Sequence, residues 1–286
     1  MKSKGYMILA MLTFGSIGLF IREIPLPSAQ TALARGVIGG LFLMLYVVIS
    51  KKSISYAAIK KNWLILMASG ACIGFNWILL FEAYKYTTIS NATLSYYFAP
   101  VIVVFLSPAI LKERLSKLQV ICILGAMAGM FLIAGNGSGG GLDQRGLIGI
   151  GFGLSAAVFY AAVIIMNKFM KNQTALETTL VQLAIASLVL IPYVLLQGKL
   201  AYQELSGKEL LLLIVVGLLH TGIAYLLYFT AMYRMRSQTV AVFSYIDPIS
   251  AVVMSALFLG EVMRGPQILG GVLILAAAFY SGRTKE

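Results

Sequence analysis

Ten acidic residues and one histidine are spread thinly through 286 residues, and Asp247 stands out among them because it lies inside a long apolar run. A carboxylate near the centre of a bilayer is costly unless it is protonated, paired or hydrated. Pro248 follows directly, and a proline removes a backbone donor, so carbonyl groups beside Asp247 are freed to bind a cation or a ligand. A protonated aspartic acid bonded to a neighbouring helix is the plainer account of the same residue. His220, the only histidine, falls at a similar depth, where a neutral imidazole relays protons or bonds a ligand, or simply packs as a satisfied core group. Phe14, Asn76, Trp77, Tyr96, Tyr97, Tyr160 and Tyr245 also lie near mid-bilayer when counted from the ends of their apolar runs. Rings at one depth give a small, partly apolar or cationic molecule contact area and a π face, while hydroxyl and amide groups orient it. Packing between helices explains any one of them alone. Arg35 and Glu82, on adjacent runs, are expected to pair and to act as a gate on one face, against the alternative of an interfacial glutamate and a snorkelling arginine.

Enzymatic chemistry is not expected, and catalytic residues, metal and cofactor are all read as none. Cys72 and Cys122 stand alone within apolar runs, without zinc, redox or disulfide spacing. Gly149-x-Gly151-x-Gly153 lies inside an apolar run with no strand before it, so the glycines serve close helix packing rather than a dinucleotide. Glu113 and Glu261 follow apolar runs at equivalent positions and are assigned to helix capping or interhelical bonds.

The elements that must position these side chains are membrane spans. The chain is 60% hydrophobic and 11% charged, with a mean hydropathy of +0.91. A soluble chain carries about a quarter charged residues. A span needs roughly 20 mostly apolar residues. Ten segments qualify: 5 to 22, 29 to 50, 62 to 83, 88 to 110, 117 to 135, 146 to 168, 177 to 197, 209 to 230, 237 to 258 and 265 to 281. The first is read as a span rather than a cleaved signal. The net charge of +12 is dispersed in short clusters between the runs, which argues for topology signals and against nucleic acid as a partner. With the N-terminus in the cytoplasm, fifteen basic residues fall inside and six outside, so both termini are expected to be cytoplasmic.

An offset of 148 residues aligns 74–119 with 222–267 without a gap, and eleven of 46 positions are identical. Tyr97-x-x-Pro100 matches Tyr245-x-x-Pro248, and Leu111-x-Glu113 matches Leu259-x-Glu261. These types are scarce in lipid, and the spacing crosses two spans and a loop. A unit of five spans is odd, so its second copy must sit inverted. The expected architecture is all-α, with ten transmembrane helices in two inverted five-helix repeats, residues 1–141 and 142–286, joined through the linker Asn136-Gly137-Ser138-Gly139-Gly140-Gly141. Inverted repeats recur in secondary transporters, which place the substrate at the midplane between halves.

The run Phe81-Glu82-Ala83-Tyr84-Lys85-Tyr86-Thr87-Thr88, then Ser90-Asn91-Ala92, Tyr97-x-x-Pro100 and Leu111-Lys112-Glu113-Arg114-Leu115 resembles the EamA family of the drug/metabolite transporter superfamily. The second half repeats the resemblance in Tyr245-x-Asp247-Pro248 and Leu257-Phe258-Leu259-Gly260-Glu261, with Gly15-Ser16, Tyr160 and Asn167-Lys168 as weaker matches. Phe14 stands where the family usually has tryptophan, and Glu82 where an apolar or tyrosine residue is more usual. The resemblance implies ten helices, cytoplasmic termini, a central cavity and a place in the bacterial inner membrane as an exporter or, less often, an importer of metabolites. The expected function is secondary active transport of a small amphipathic metabolite, amino acid or organic cation, with protons as a coupling ion. No nucleotide-binding loop is present to drive a primary pump. The competing reading is a membrane-embedded enzyme acting on lipid-linked substrates. Both a monomer and a dimer fit.

Overall fold

A chain segment in hydrocarbon must satisfy its backbone polar groups within itself, and the α-helix does so. The computed structural model describes residues 2–87, 89–114, 116–134, 144–198, 200–259 and 265–283, and it is helical, with no strand among the described residues. The linker 136–141, the repeat boundary after 141, and Glu261 lie outside the described residues. The helices are α1 (Lys2–Ile21), α2 (Ser28–Ile49), α3 (Tyr56–Tyr86), α4 (Ile89–Tyr96), α5 (Ala99–Leu111), α6 (Lys117–Ala134) and α7 (Gln144–Lys168). They continue as α8 (Ala175–Leu196), α9 (Gly207–Val215), a π-helical segment (Val216–Ile223), α10 (Ala224–Met232), α11 (Ser237–Phe243), α12 (Ile246–Leu259) and α13 (Gly265–Arg283). Among the described residues, eight helical stretches are long and apolar enough to cross a membrane. Two of the ten expected segments, 117 to 135 and 265 to 281, fall instead on the shorter apolar helices Lys117–Leu132 and Gly265–Ser281.

Four of the expected segments differ from the observed helices, each for an identifiable reason. α3 starts at Tyr56 rather than 62, because Ser55 caps it with Oγ accepting from the Ala58 amide at 3.2 Å. The expected span 88 to 110 breaks between Tyr96 and Ala99, and the span 237 to 258 breaks between Phe243 and Ile246. Each break precedes the proline of a Tyr-x-x-Pro motif, placing Pro100 and Pro248 in the first turn of the following helix. There the missing N–H costs nothing, while the residue ahead of a proline disfavours helix. The span 209 to 230 is helical throughout but widens at Val216–Ile223, where the Thr221 hydroxyl reaches back five residues to the Val216 carbonyl at 3.4 Å.

Packing runs mostly between distant parts of the chain. α3 lies along α7 and α8; α1 lies along α10 and α12; α2 meets α8 and the π-helical segment; α4 and α5 meet α7; and α6 lies along α13. Small residues permit the closest approaches. A Cβ at Gly149 would lie 2.7 Å from the Thr87 side chain, and one at Gly153 would lie 2.7 Å from Ser95 Cβ. Large buried side chains such as Met7, Met11, Leu43, Ile164, Leu190, Phe229 and Met232 form one continuous core. Outward residues such as Leu41, Val48, Leu188, Leu196, Leu257 and Phe258 are exposed and apolar.

Candidate functional site

Seven of these elements enclose a cavity of about 500 Å³. α1 contributes Phe14 and Gly18, α2 contributes Arg35, and α3 contributes Asn76, Trp77 and Tyr84. Tyr96 and Tyr97 enter from the end of α4, Tyr160 from α7, Tyr225 and Tyr228 from α10, and Asp247 from the start of α12. The volume falls in the range of small-molecule sites, roughly 300–1,000 Å³.

The aromatic wall is continuous. Trp77 meets Tyr225 edge-on at 6.3 Å between centroids, Tyr225 meets Phe14 at 5.2 Å, and Phe14 meets Tyr228 at 6.2 Å. The Tyr228 hydroxyl lies 3.0 Å from that of Tyr160, which stacks on Tyr96 at 5.7 Å, and Tyr96 meets Tyr97 at 5.5 Å. An ionisable side chain stands at each end of the wall. At one end the Arg35 guanidinium lies over the Trp77 ring, 4.5 Å from its centroid. At the other, the Tyr97 hydroxyl donates to Asp247 Oδ2 at 2.9 Å.

The helix breaks hold this end in place. Ending α4 at Tyr96 turns Tyr97 out of the helical register, and the Tyr245 hydroxyl donates to the Tyr97 carbonyl at 2.7 Å. The two tyrosines of the repeated motif are therefore bonded to each other across the halves of the chain. Asn76 is fixed by its Nδ2, which donates to the Ala156 carbonyl of α7 at 2.7 Å.

Of the eleven residues singled out in the sequence, eight line this cavity: Phe14, Arg35, Asn76, Trp77, Tyr96, Tyr97, Tyr160 and Asp247. Three do not. Tyr245 is fully buried behind Tyr97 and lines a different cavity. His220 sits in the π-helical segment against Phe20, with Nε2 2.9 Å from the Ser16 hydroxyl. Glu82 pairs with Lys85 at 2.7 Å and accepts a hydrogen bond from the Tyr193 hydroxyl. The expected Arg35–Glu82 pair is not formed: a carboxylate three residues from a lysine finds its partner on its own helix, while Arg35 turns inward onto Trp77.

Tyr84, Tyr225 and Tyr228 were not anticipated. Tyr225 was nonetheless legible, since the 148-residue offset carries Trp77 onto it; the same offset carries Leu80 onto Tyr228 and Tyr96 onto Ser244, all of which line the cavity. Glu113 has the capping role expected of it, with Oε1 accepting from the Ser237 amide at 3.1 Å at the start of α11.

Contacts tie helix termini at both ends of the spans: beside the end of α1 and the start of α2, Lys208 pairs with Glu23 at 3.3 Å and the Tyr202 hydroxyl donates to the Gln30 carbonyl at 2.8 Å. Toward the ends of α1 and α3 the cavity lining continues through Leu19, Leu80 and Tyr84. Toward the opposite ends, helix termini are tied together. Lys168 Nζ donates to the carbonyls of Met232 and Met235, Arg236 and Gln238 both donate to the Arg114 carbonyl, and the Ser55 amide donates to Glu177 Oε1 at 2.7 Å.

Known proteins share this architecture. The family described as the EamA-like transporter family matches the chain over residues 2–135 and again over 147–283. A relative from Bacillus subtilis (strain 168), "Uncharacterized transporter YxxF", is 30% identical over 94% of this chain and 86% of its own length. The "Pseudopaline exporter CntI" of Pseudomonas aeruginosa is 24% identical, over 98% of this chain and 95% of its own. A solved crystal structure superposes with a TM-score of 0.85 over 98% of this chain and 96% of that one; at 18% identity the likeness speaks to the fold alone.

Proposed function

Because the chain belongs to the EamA-like transporter family, a multi-pass membrane protein with a small molecule as its cargo, we propose that it is a secondary active transporter of a small amphipathic molecule bearing both a carboxylate and an amine, such as an amino acid. One observation carries this reading: a single cavity holds Arg35 at one end of an aromatic wall and Asp247 at the other. Among the described residues Arg35 has no carboxylate partner, so a ligand carboxylate is the natural complement to its guanidinium fork. An amine is the complement to Asp247, and tyrosine faces between the two accommodate a partly apolar body. A purely cationic ligand would leave Arg35 facing like charge, which weighs against the organic cations that the sequence alone also allowed.

The working architecture is ten spans in two inverted five-helix repeats, with α4 and α5 forming the fourth span and α11 and α12 the ninth. Packing supports it. Under the 148-residue offset the contact of α3 with α8 becomes that of the π-helical segment with α2, and the contact of α3 with α7 becomes that of α10 with α1. The two separate family matches point the same way. In this reading both termini lie in the cytoplasm, the helix ends tied through Lys168 and Arg236 close the cytoplasmic face, and the cavity is reached from outside. Alternation releases those ties and closes the outer end by rocking one half on the other. Asp247 couples transport to protons by taking one up when the ligand amine leaves, and net movement is export across the bacterial cytoplasmic membrane.

No observation favours the lipid-linked enzyme, and the relatives' names point to transport. Purified protein in proteoliposomes, given an imposed pH gradient and a panel of amino acids, purines and quaternary amines, tests the proposal. Accumulation of an amino acid driven by the gradient supports it. Transport confined to quaternary amines refutes the assigned substrate class.

A further inference from the structure

A second cavity, of about 650 Å³, shares Tyr97 with the central one and is lined by Tyr97, Phe98, Leu124, Phe131, Leu154 and Tyr245 among others. Its lining offers carbon and little else. The polar side-chain groups it includes are already committed: the Ser95 hydroxyl donates to the Asn91 carbonyl at 2.7 Å, that of Tyr97 to Asp247, and that of Tyr245 to the Tyr97 carbonyl. Water needs two to four polar partners to remain in such a space, and these hydroxyls have no donor left to offer it. A void left empty forfeits the dispersion contacts of its whole lining.

What fills it follows from where it opens. Phe98, Leu124, Phe131 and Leu154 are all exposed, between 38% and 64%, at the level of the break between α4 and α5. α6 packs along α13 and meets α4 and α5 only sparsely, which leaves the gap on its flank. In a multi-pass membrane protein the medium outside these side chains is the hydrocarbon of the bilayer. We propose that this lateral cavity is a binding site for one acyl chain of a bilayer lipid. The chain packs against Tyr97, whose hydroxyl contacts Asp247, so its occupancy bears on the central cavity. The assignment depends on the chain spanning a membrane and not on which molecule is transported.

The test is photolabelling. The full chain is reconstituted in vesicles of phosphatidylethanolamine and phosphatidylglycerol doped with a phospholipid carrying a diazirine midway along one acyl chain, and adducts are mapped by mass spectrometry. Adducts on Met127, Phe131 and Leu154 are expected to exceed those on Leu188, an exposed residue of α8, by about tenfold, the ratio expected of a retained rather than a passing chain. Ala128→Phe fills the cavity and is expected to bring cavity adducts down to the Leu188 level without changing labelling of Leu188 itself. Leu154→Trp fills it from the opposite wall and serves if the first variant does not elute as a single species. Parent labelling no higher than at Leu188 means annular lipid only and overturns the proposal, as does full labelling in a well-folded filled variant. Labelling by a diazirine-bearing alkyl amine but not by the phospholipid would give the cavity to the tail of a soluble ligand and would equally overturn it.

Discussion

α1 crosses α12 at Gly15, and this crossing sets the distance between Phe14 and Asp247 across the central cavity. A Cβ at residue 15 would lie 2.7 Å from the carbonyl oxygen of Asp247 and 2.9 Å from the amide nitrogen of Ala251. Both are backbone atoms, so no rotamer change relieves the contact and the helices must part. Overpacking of this kind costs about 1–3 kcal/mol. For a chain of this size each kcal/mol moves the melting temperature by roughly 2–4 °C, so Gly15→Ala is expected to melt about 2–12 °C below the parent. Gly18 is the matched control: it lies one turn further along the same helix, lines the same cavity, and a Cβ there would meet nothing within 4 Å. Gly18→Ala should melt with the parent or slightly above it, because alanine is the better helix former. Thermal unfolding of the three proteins in one detergent decides the matter. A Gly15→Ala protein as stable as Gly18→Ala would show that the α1–α12 crossing is not tight and that the cavity width is set elsewhere.

Arg35→Gln removes the guanidinium from the cavity and should weaken binding of a carboxylate-bearing substrate about tenfold to hundredfold, the range for a lost charge-assisted hydrogen bond; Arg35→Lys, which keeps charge without the fork, should fall between. Equilibrium binding in detergent measures both. Asp247→Asn keeps shape and hydrogen-bonding capacity but fixes the neutral state, so the variant should fold and exchange substrate at equal pH yet lose uphill transport in a proton gradient, as read in proteoliposomes. Leu in place of Trp77, Tyr97, Tyr160 or Tyr225 should weaken binding with little effect on detergent stability, since leucine retains apolar volume but loses the ring; ligand-free melting curves and binding isotherms separate the two effects. Reporter fusions after residues 55 and 112 should read cytoplasmic and fusions after 140 and 203 external, and the reverse pattern would refute the assigned orientation.

Helix positions were legible because hydrocarbon length and apolar composition leave a chain few choices. The breaks at Tyr97 and Tyr245 were not expected, although both prolines were in view. A helix accepts proline in its first turn, so the motif announces a break only once Pro100 and Pro248 are taken as starting new helices. Position along each apolar run was also legible by counting, and seven of the nine residues it placed at one depth line one cavity, with Arg35 as an eighth. Rotation about the span axis was not. His220 shares the depth of the cavity, but the π-helical segment alters the register ahead of α10, and its ring points at Ser16 while Tyr225 and Tyr228 face inward. Glu82 was misassigned for a related reason: its competing partner Lys85 lies three residues along the same helix, and that local contact prevailed over a distant arginine.

The central claim is that one cavity reads two opposite charges on one substrate, and competition against transport tests it most directly. Proteoliposomes taking up a transported amino acid are challenged with two analogues of the same side chain, one lacking the carboxylate and one lacking the amine, using parent, Arg35→Gln and Asp247→Asn proteins. The account predicts that neither analogue competes well with the parent, that Arg35→Gln selectively loses discrimination against the analogue without a carboxylate, and that Asp247→Asn selectively loses discrimination against the analogue without an amine. If both analogues compete as well as the amino acid itself with the parent protein, Arg35 and Asp247 do not read the substrate's charges, and the account is contradicted.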